Sequence, residues 1–255
     1  MKNTPEILYT ARDTAEFAKL TDQAQPIVEG LAPYLEFLRE RYAVTELPRA
    51  ILFTTRETAT ERISDLPLPA YTNEYRIVFC PDVAVWRTLL CSQLNDLTVS
   101  SAEIASITSY YHTEYGIPHV RQILGHEFVH QSEYFPGDFD DDADEGCIWF
   151  EEGMAEYISR RYFLSPEESV RAGEIGRMLI ALRDCSRPRP SIDSFTYDTY
   201  ADGTMGEVFY WYWRSFFAVE SIVNRFHGDV KAVFDELSAW DRSRSMAAAR
   251  WFGVE

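Results

Sequence analysis

Two histidines stand four residues apart in the segment RQILGHEFVHQSE, residues 121–133. Four residues make just over one turn of an α-helix, so the imidazoles of His126 and His130 leave the same face, about 5–6 Å apart at their Cβ atoms. Two imidazoles at that separation can bind one divalent metal ion, and Glu127 follows the first of them, where its carboxylate can polarise a metal-bound water. The spacing therefore indicates metal-dependent hydrolysis, the chemistry of the HExxH pattern.

A second segment, WFEEGMAEYIS at residues 149–159, offers a third ligand. A catalytic zinc usually takes three protein ligands and leaves one position for water. Glu152 and Glu156 share a face of the predicted helix, so one can bind the metal while the other accepts a hydrogen bond from a ligand histidine. Glu151 leaves the helix about 100° away and is the weaker ligand candidate. Gly153 removes side-chain bulk where two helices could approach closely.

The alternative to a metal site is a chance match. In that interpretation His126 is a hydrogen-bonded core histidine and His130 lies on the surface. The second segment weakens this alternative, because it completes a ligand set and adds a carboxylate to support it.

The pair HEFVHQ and WFEEGMAEYIS resembles the gluzincin clan, in particular the peptidase MA-like group with its thermolysin- and aminopeptidase-type catalytic domains. The resemblance covers residues 119–161. It implies one catalytic Zn²⁺ with three protein ligands: His126, His130 and Glu152. It further implies that Glu127 is the general base and that Glu156 supports a ligand histidine. The upstream strand has no G-x-M-E-N segment of the kind that binds the free amine in zinc aminopeptidases, so that activity is not expected.

Gluzincins commonly use a tyrosine or histidine from the C-terminal half to stabilise the oxyanion of the reaction. Tyr212, three residues before Ser215, fits the Y-x-x-S/G pattern of relatives best, and Tyr200 in YADG is the alternative. His227 is a further candidate, although its place near a helix end also suits compensation of the helix dipole. Either tyrosine could instead belong to an aromatic core.

Apolar spacing predicts the elements that would position these side chains. In the N-terminal half it indicates a helix over 13–42, bent or divided at Pro26 and Pro33, strands over 49–55 and 74–82, a short helix between them, a loop over 66–73 and a helix over 83–94. In the C-terminal half it indicates helices over 119–133, 149–162, 166–183 and 206–228, one more helix after Gly228, and a loop over 187–203.

These elements favour one α+β domain over residues 1–255, with a zincin-like fold. A lobe of mixed strands and helices, about 1–134, would face a helical lobe, about 147–255, across a metal-binding cleft. The expected function is hydrolysis of peptide bonds in a peptide or protein substrate. The alternative is a catalytically silent zincin-fold module that binds peptides or serves a structural role.

The chain carries a formal net charge of −17, with 41 acidic and 24 basic residues. This charge argues against nucleic acid and anionic membranes as partners. We expect a cytoplasmic protein, because no signal segment and no long apolar segment is present and because four scattered cysteines suggest free, buried thiols. The sequence leaves the oligomeric state open.

The segment FPGDFDDDADEG, residues 135–146, concentrates acidic residues. Asp138, Asp140, Asp142 and Asp144 alternate as at the start of a calcium loop. Neither register supplies glycine at the sixth position, so a solvated acidic loop is favoured over a second cation site at 138–145.

Overall fold

A small mixed sheet lies on the N-terminal side of the molecule, seen in a computed structural model that describes residues 4–95, 97, 101–136, 147–185 and 188–254. The strands are β1 (Glu6–Tyr9), β2 (Ala50–Phe53), β3 (Ala70–Thr72) and β4 (Arg76–Phe79). Their order is β1-β2-β4-β3, in which β1, β2 and β4 run parallel and β3 pairs antiparallel with β4 at one edge.

The strands expected at 49–55 and 74–82 are confirmed as β2 and β4, in shorter form. The loop predicted over 66–73 is wrong at Ala70–Thr72, which form strand β3 and pair with β4, Tyr71 opposite Val78. Three residues that follow two prolines are too few to show the alternation of a strand, so only the partner strand reveals the pairing.

Helices α1 (Thr14–Val28) and α2 (Leu31–Tyr42) replace the single run predicted over 13–42. The division falls at Gly30, whose φ of 84° suits glycine because it has no Cβ atom. Pro26 lies inside the last turn of α1, and Pro33 lies in the first turn of α2, where a missing N–H is tolerated. The break thus occurs between the two prolines.

The remaining helices pack around the sheet and form the helical C-terminal part, so the α+β class is confirmed. They are α3 (Arg56–Thr58, continued by a π-turn over Ala59–Ile63), α4 (Val83–Ser92), α5 (Ser101–Thr113), α6 (Ile117–Val129), α7 (Ile148–Phe163), α8 (Pro166–Asp184), α9 (Asp198–Asp202), α10 (Met205–Arg225), α11 (Val230–Ser243) and α12 (Ala248–Trp251). A 3₁₀ turn, Ile192–Ser194, and α9 lie within the loop predicted over 187–203.

Helix α6 begins at Ile117 and ends at Val129, so the predicted end at 133 is wrong. His130 is the residue that follows the last helical turn, although its φ of −59° and ψ of −17° keep the helical direction. Helix α7 extends the predicted range by one residue at each end.

All four cysteines are free, as expected, but only Cys80 and Cys147 are buried. Cys91 is partly exposed and Cys185 is exposed. The acidic segment at 138–145 lies outside the described residues. Among the residues described, every helix is too short or too polar to cross a lipid bilayer.

Glycines allow α7 to lie against its neighbours. A Cβ atom on Gly153 would stand 2.3 Å from the Ser215 carbonyl oxygen of α10, and one on Gly125 would stand 2.5 Å from the Phe163 ring. A methyl group fits neither place without movement of the packed helix or ring. The glycines therefore fix how closely α6, α7 and α10 approach one another.

We expect Gly153→Ala to lower the free energy of unfolding by more than about 2 kcal/mol, because the new methyl group overlaps backbone atoms of α10. Gly173→Ala on α8 is the matched control, since its nearest neighbour is the flexible end of Arg177 at 3.3 Å. There the better helix propensity of alanine should keep stability equal or raise it by up to about 1 kcal/mol. Urea denaturation of both variants measures the difference, and equal stabilities would contradict the tight crossing.

Candidate metal centre

Helices α6 and α7 bring three candidate ligand atoms together. The ligand atoms of His126, His130 and Glu152 all lie within 4.8 Å of one another. His126 Nε2 is 3.0 Å from Glu152 Oε2 and 3.0 Å from His130 Nε2, while His130 Nε2 is 3.8 Å from the same carboxylate oxygen. These three side chains form a group able to bind one metal ion.

The chemistry of this donor set fits a divalent cation. The Nδ1 atoms of both histidines face carboxylates, Glu156 for His126 and Glu151 for His130, which favours protons on Nδ1. Both Nε2 atoms then present lone pairs toward each other. Glu152 Oε2 is a buried acceptor with no hydrogen-bond donor. Three converging lone pairs repel one another unless a cation lies between them, and zinc binds nitrogen and oxygen donors of this kind.

Glu156 is fixed behind His126. Its Oε1 lies 3.1 Å from His126 Nδ1, in an electrostatic contact rather than a well-aligned hydrogen bond. Gln122 Nε2 donates to the same carboxylate at 3.2 Å, and Arg160 Nε pairs with its other oxygen. Carboxylates placed behind ligand histidines in this way orient the ring and raise its basicity.

Glu151 has a role that the sequence did not suggest. Its Oε1 lies 2.7 Å from His130 Nδ1, whereas His130 Nε2 is the ring nitrogen that faces His126 and Glu152. The backbone of His130 keeps the helical direction after Val129, and its ring meets Glu151 where α6 and α7 cross. A carboxylate next to Glu152 was visible in the sequence, but the way the two helices cross was not.

The buried charges explain the protonation states of the site. Burial raises the pKa of Glu152 and Glu156, yet the histidines, Tyr200 and Arg160 outweigh it, so both pKa values are lowered and that of Glu156 falls to about 2. Burial lowers the pKa of both histidines, but the facing carboxylates outweigh it and raise them, that of His126 well above its ordinary value. The carboxylates therefore stabilise the protonated, positively charged imidazoles of His126 and His130. A metal ion would compete with these protons for the ring nitrogens.

Tyr212 and Tyr200, the two alternatives for stabilising the oxyanion, both lie beside the metal centre. Tyr200 Oη donates to Glu152 Oε1 at 2.7 Å and lies 3.2 Å from Tyr212 Oη. The Tyr212 ring centre is 5.8 Å from that of His126. His227, by contrast, is exposed after the end of α10 and lines neither of the cavities beside the histidines.

The metal centre opens into a cleft of about 160 Å³. Strand β3 lines one side of this cleft, and α7 with Tyr197 and Tyr200 lines the other. Glu127 is buried but reaches the cleft, and burial raises the pKa of its carboxyl to about 7 against the opposing effect of the two histidines.

A family model described as collagenase, a peptidase family, matches residues 101–253, which is more than half of the chain. The chain belongs to the collagenase family of peptidases. Peptidases of this family depend on zinc, in agreement with the donor set formed by α6 and α7. The match begins at α5 and includes every side chain of the metal centre, whereas the sheet precedes it. No curated protein and no solved structure matched the chain.

For this collagenase-family chain we expect Glu156→Gln to weaken zinc binding by about 10- to 100-fold, because His126 loses the charge that supports its ring. Competition with a chromophoric chelator measures the affinity. Glu167→Gln, at an exposed glutamate in the first turn of α8, is the control and should leave the affinity within about twofold. Equal affinities in the two variants would contradict the supporting role of Glu156.

Proposed function

We propose that this chain is a gluzincin-type zinc peptidase that hydrolyses peptide bonds. The observation that carries the proposal is the convergence of His126, His130 and Glu152 at the floor of an open cleft, with the Glu127 carboxyl in the same cleft. The collagenase family supports a peptidase, and the cleft borders the edge strand β3.

His126, His130 and Glu152 would hold the metal. A zinc ion bound there supplies a Lewis acid that lowers the pKa of a coordinated water and polarises the scissile carbonyl. Glu127 then acts as general base, taking a proton from the attacking water and returning it to the nitrogen of the leaving amine. Burial supports this role, since a carboxyl with a raised pKa accepts a proton more readily than an exposed one.

The tyrosines divide two tasks in this proposal. Tyr200 positions Glu152, because its phenol is hydrogen-bonded to the carboxylate oxygen Oε1. Tyr212 donates to the carbonyl oxygen that gains negative charge during the reaction, as it reaches the cleft and its ring lies against His126. Burial and the nearby Glu152 carboxylate raise the pKa of Tyr212 well above its ordinary value, which keeps the phenol protonated as a donor.

Strand β3 supports the binding of an extended substrate. It is the last strand in the order β1-β2-β4-β3, so within the described part of the chain one edge of its backbone has no neighbouring strand. An extended peptide can pair with such an edge through main-chain hydrogen bonds. The cleft is lined by β3 and α7 together, which supports one catalytic domain over both lobes.

We expect Glu127→Gln to retain zinc and to lower kcat for a cleaved peptide by about 10²- to 10⁴-fold, because the amide cannot accept the proton. Metal analysis of the purified variant and turnover of a quenched peptide library measure the two quantities. Unchanged turnover in the variant would contradict the assigned base. A zinc-loaded wild-type chain that cleaves no peptide would instead favour the silent peptide-binding alternative.

Tyr212→Phe and Tyr200→Phe should differ in their effects. Loss of the Tyr212 phenol should lower kcat by about 10²- to 10³-fold with zinc affinity retained, since a donor to the developing charge is removed. Loss of the Tyr200 phenol should chiefly weaken zinc binding, since Glu152 loses a hydrogen bond. Parallel kinetics and zinc titrations separate the two, and the reverse pattern would exchange their roles.

A further inference from the structure

Two of the three residues of β3 direct their main-chain groups away from the sheet. The main-chain N–H of Asn73 donates to the Arg76 carbonyl oxygen at 3.0 Å, across the turn between β3 and β4. Because main-chain groups point alternately to the two sides of a strand, those of Thr72 and Ala70 face the open edge, where the described chain has no further strand. Thr72 and Ala70 also line the cleft of the metal centre. A peptide that pairs with β3 would therefore meet these two residues.

Gln131 ties this strand to the helix that carries the histidines. It follows His130 directly in the sequence, and its Nε2 donates to Thr72 Oγ1 at 3.0 Å and to the Asn73 carbonyl oxygen at 3.3 Å. One of its acceptors thus belongs to a residue whose main chain faces the open edge. Gln131 lies outside the described lining of the cleft, which indicates an effect on a substrate through β3 rather than by contact.

The segment that carries Gln131 is itself held in place. The Ser132 hydroxyl donates to the Tyr42 carbonyl oxygen at the end of α2. The main-chain N–H of Glu133 donates to the Ala43 carbonyl oxygen at 3.2 Å. Gln131 is therefore a short link between a fixed turn and the edge strand.

Strand β3 depends on such a link because its own anchorage is small. Only three of its residues pair with β4. The Tyr71 hydroxyl donates to the Ala59 carbonyl oxygen at 3.1 Å, a contact that fixes the strand to the π-turn after α3 and not to the metal-binding helices. A displacement of about 1 Å between a bound substrate and the catalytic groups can lower the rate by about 10²-fold.

We propose that Gln131 is a positioning residue that sets the distance between strand β3 and the metal centre. A peptide paired with Thr72 and Ala70 then brings its scissile carbonyl to the candidate ligands in a fixed alignment. The residue that holds the substrate-binding strand is the neighbour of His130, so one short segment aligns both. This inference rests on the proposed peptidase function and adds the residue that aligns its substrate.

The variant Gln131→Leu of the zinc-loaded full chain tests the inference, because leucine is of similar size but cannot donate a hydrogen bond. We expect kcat/KM for a cleaved octapeptide to fall at least about tenfold. Zinc affinity, measured by competition with a chromophoric chelator, should stay within about twofold, since Gln131 is not part of the donor set. Gln25→Leu, at an exposed position of α1, is the matched control and should keep both quantities within about twofold.

Two results with these variants would overturn the inference. One is an unchanged kcat/KM in Gln131→Leu. The other is a loss of zinc affinity in parallel with the loss of activity, which would place the effect at His130 instead of β3.

Methylation of the substrate main chain distinguishes positioning of β3 from a general loss of activity. Each amide of the octapeptide outside the scissile bond is N-methylated in turn, which removes one main-chain donor. In the wild-type chain at least one methyl group should lower kcat/KM by about tenfold or more, because pairing with β3 is lost. In Gln131→Leu the same methyl group should cost less than about threefold, because a displaced strand no longer pairs with the peptide.

Equal costs of methylation in the two proteins overturn the inference and leave the peptidase function standing. The same holds if methylation has no cost at any position in the wild-type chain. A zinc-loaded wild-type chain that cleaves no peptide overturns both the inference and the proposed function.

Thr72→Val provides a second variant, which keeps the β-branched shape of the side chain and removes the hydroxyl that accepts from Gln131. Because the two side chains share one hydrogen bond, the double variant with Gln131→Leu should lose less kcat/KM than the product of the two single losses. Losses that multiply would show independent roles and overturn the inference. The methylated peptides give the same comparison with Thr72→Val, whether or not Gln131→Leu folds.

Discussion

The close crossing of α7 with α6 and α10 is the constraint on which the metal centre depends. Carboxylates on α7 reach imidazoles on α6 at about hydrogen-bond distance, and this requires backbones that lie nearer than ordinary side chains permit. Gly125 and Gly153 supply that proximity. Helix α7 also packs closely on α10 at Gly153, and α10 places the ring centre of Tyr212 5.8 Å from that of His126. The glycines that let the helices pack closely are therefore also needed for the geometry of the metal centre.

Burying charged side chains costs free energy unless each one is paired with an opposite charge. Carboxylates removed from water favour the neutral form, yet Glu152 and Glu156 remain ionised because histidines, a phenol and a guanidinium surround them. Two imidazole nitrogens and one carboxylate oxygen form a donor set that suits a divalent cation, and a single proton satisfies only part of it. Zinc dependence follows from the charge balance as well as from the type of ligand.

Much of the centre could be predicted from the sequence, because the helix itself sets the relative positions of His126, Glu127 and His130 and of the glutamates on α7. The contacts that depend on tertiary structure could not be predicted in this way. Glu151 meets His130 because of how α6 and α7 cross, which the spacing within either helix does not indicate. The pairing of Tyr200 with Tyr212 joins α9 to α10 across a loop whose course no periodicity indicates. Strand β3 is likewise too short to be recognised without its partner.

Arg160 joins the metal centre to an aromatic wall of the protein. Its guanidinium pairs with Glu156, which faces the candidate ligand His126, and lies over the rings of Trp213 and Phe216 on α10. Because two rings as well as the carboxylate hold the guanidinium in place, the charge that Glu156 presents to His126 depends on aromatic side chains that do not themselves face the candidate ligands.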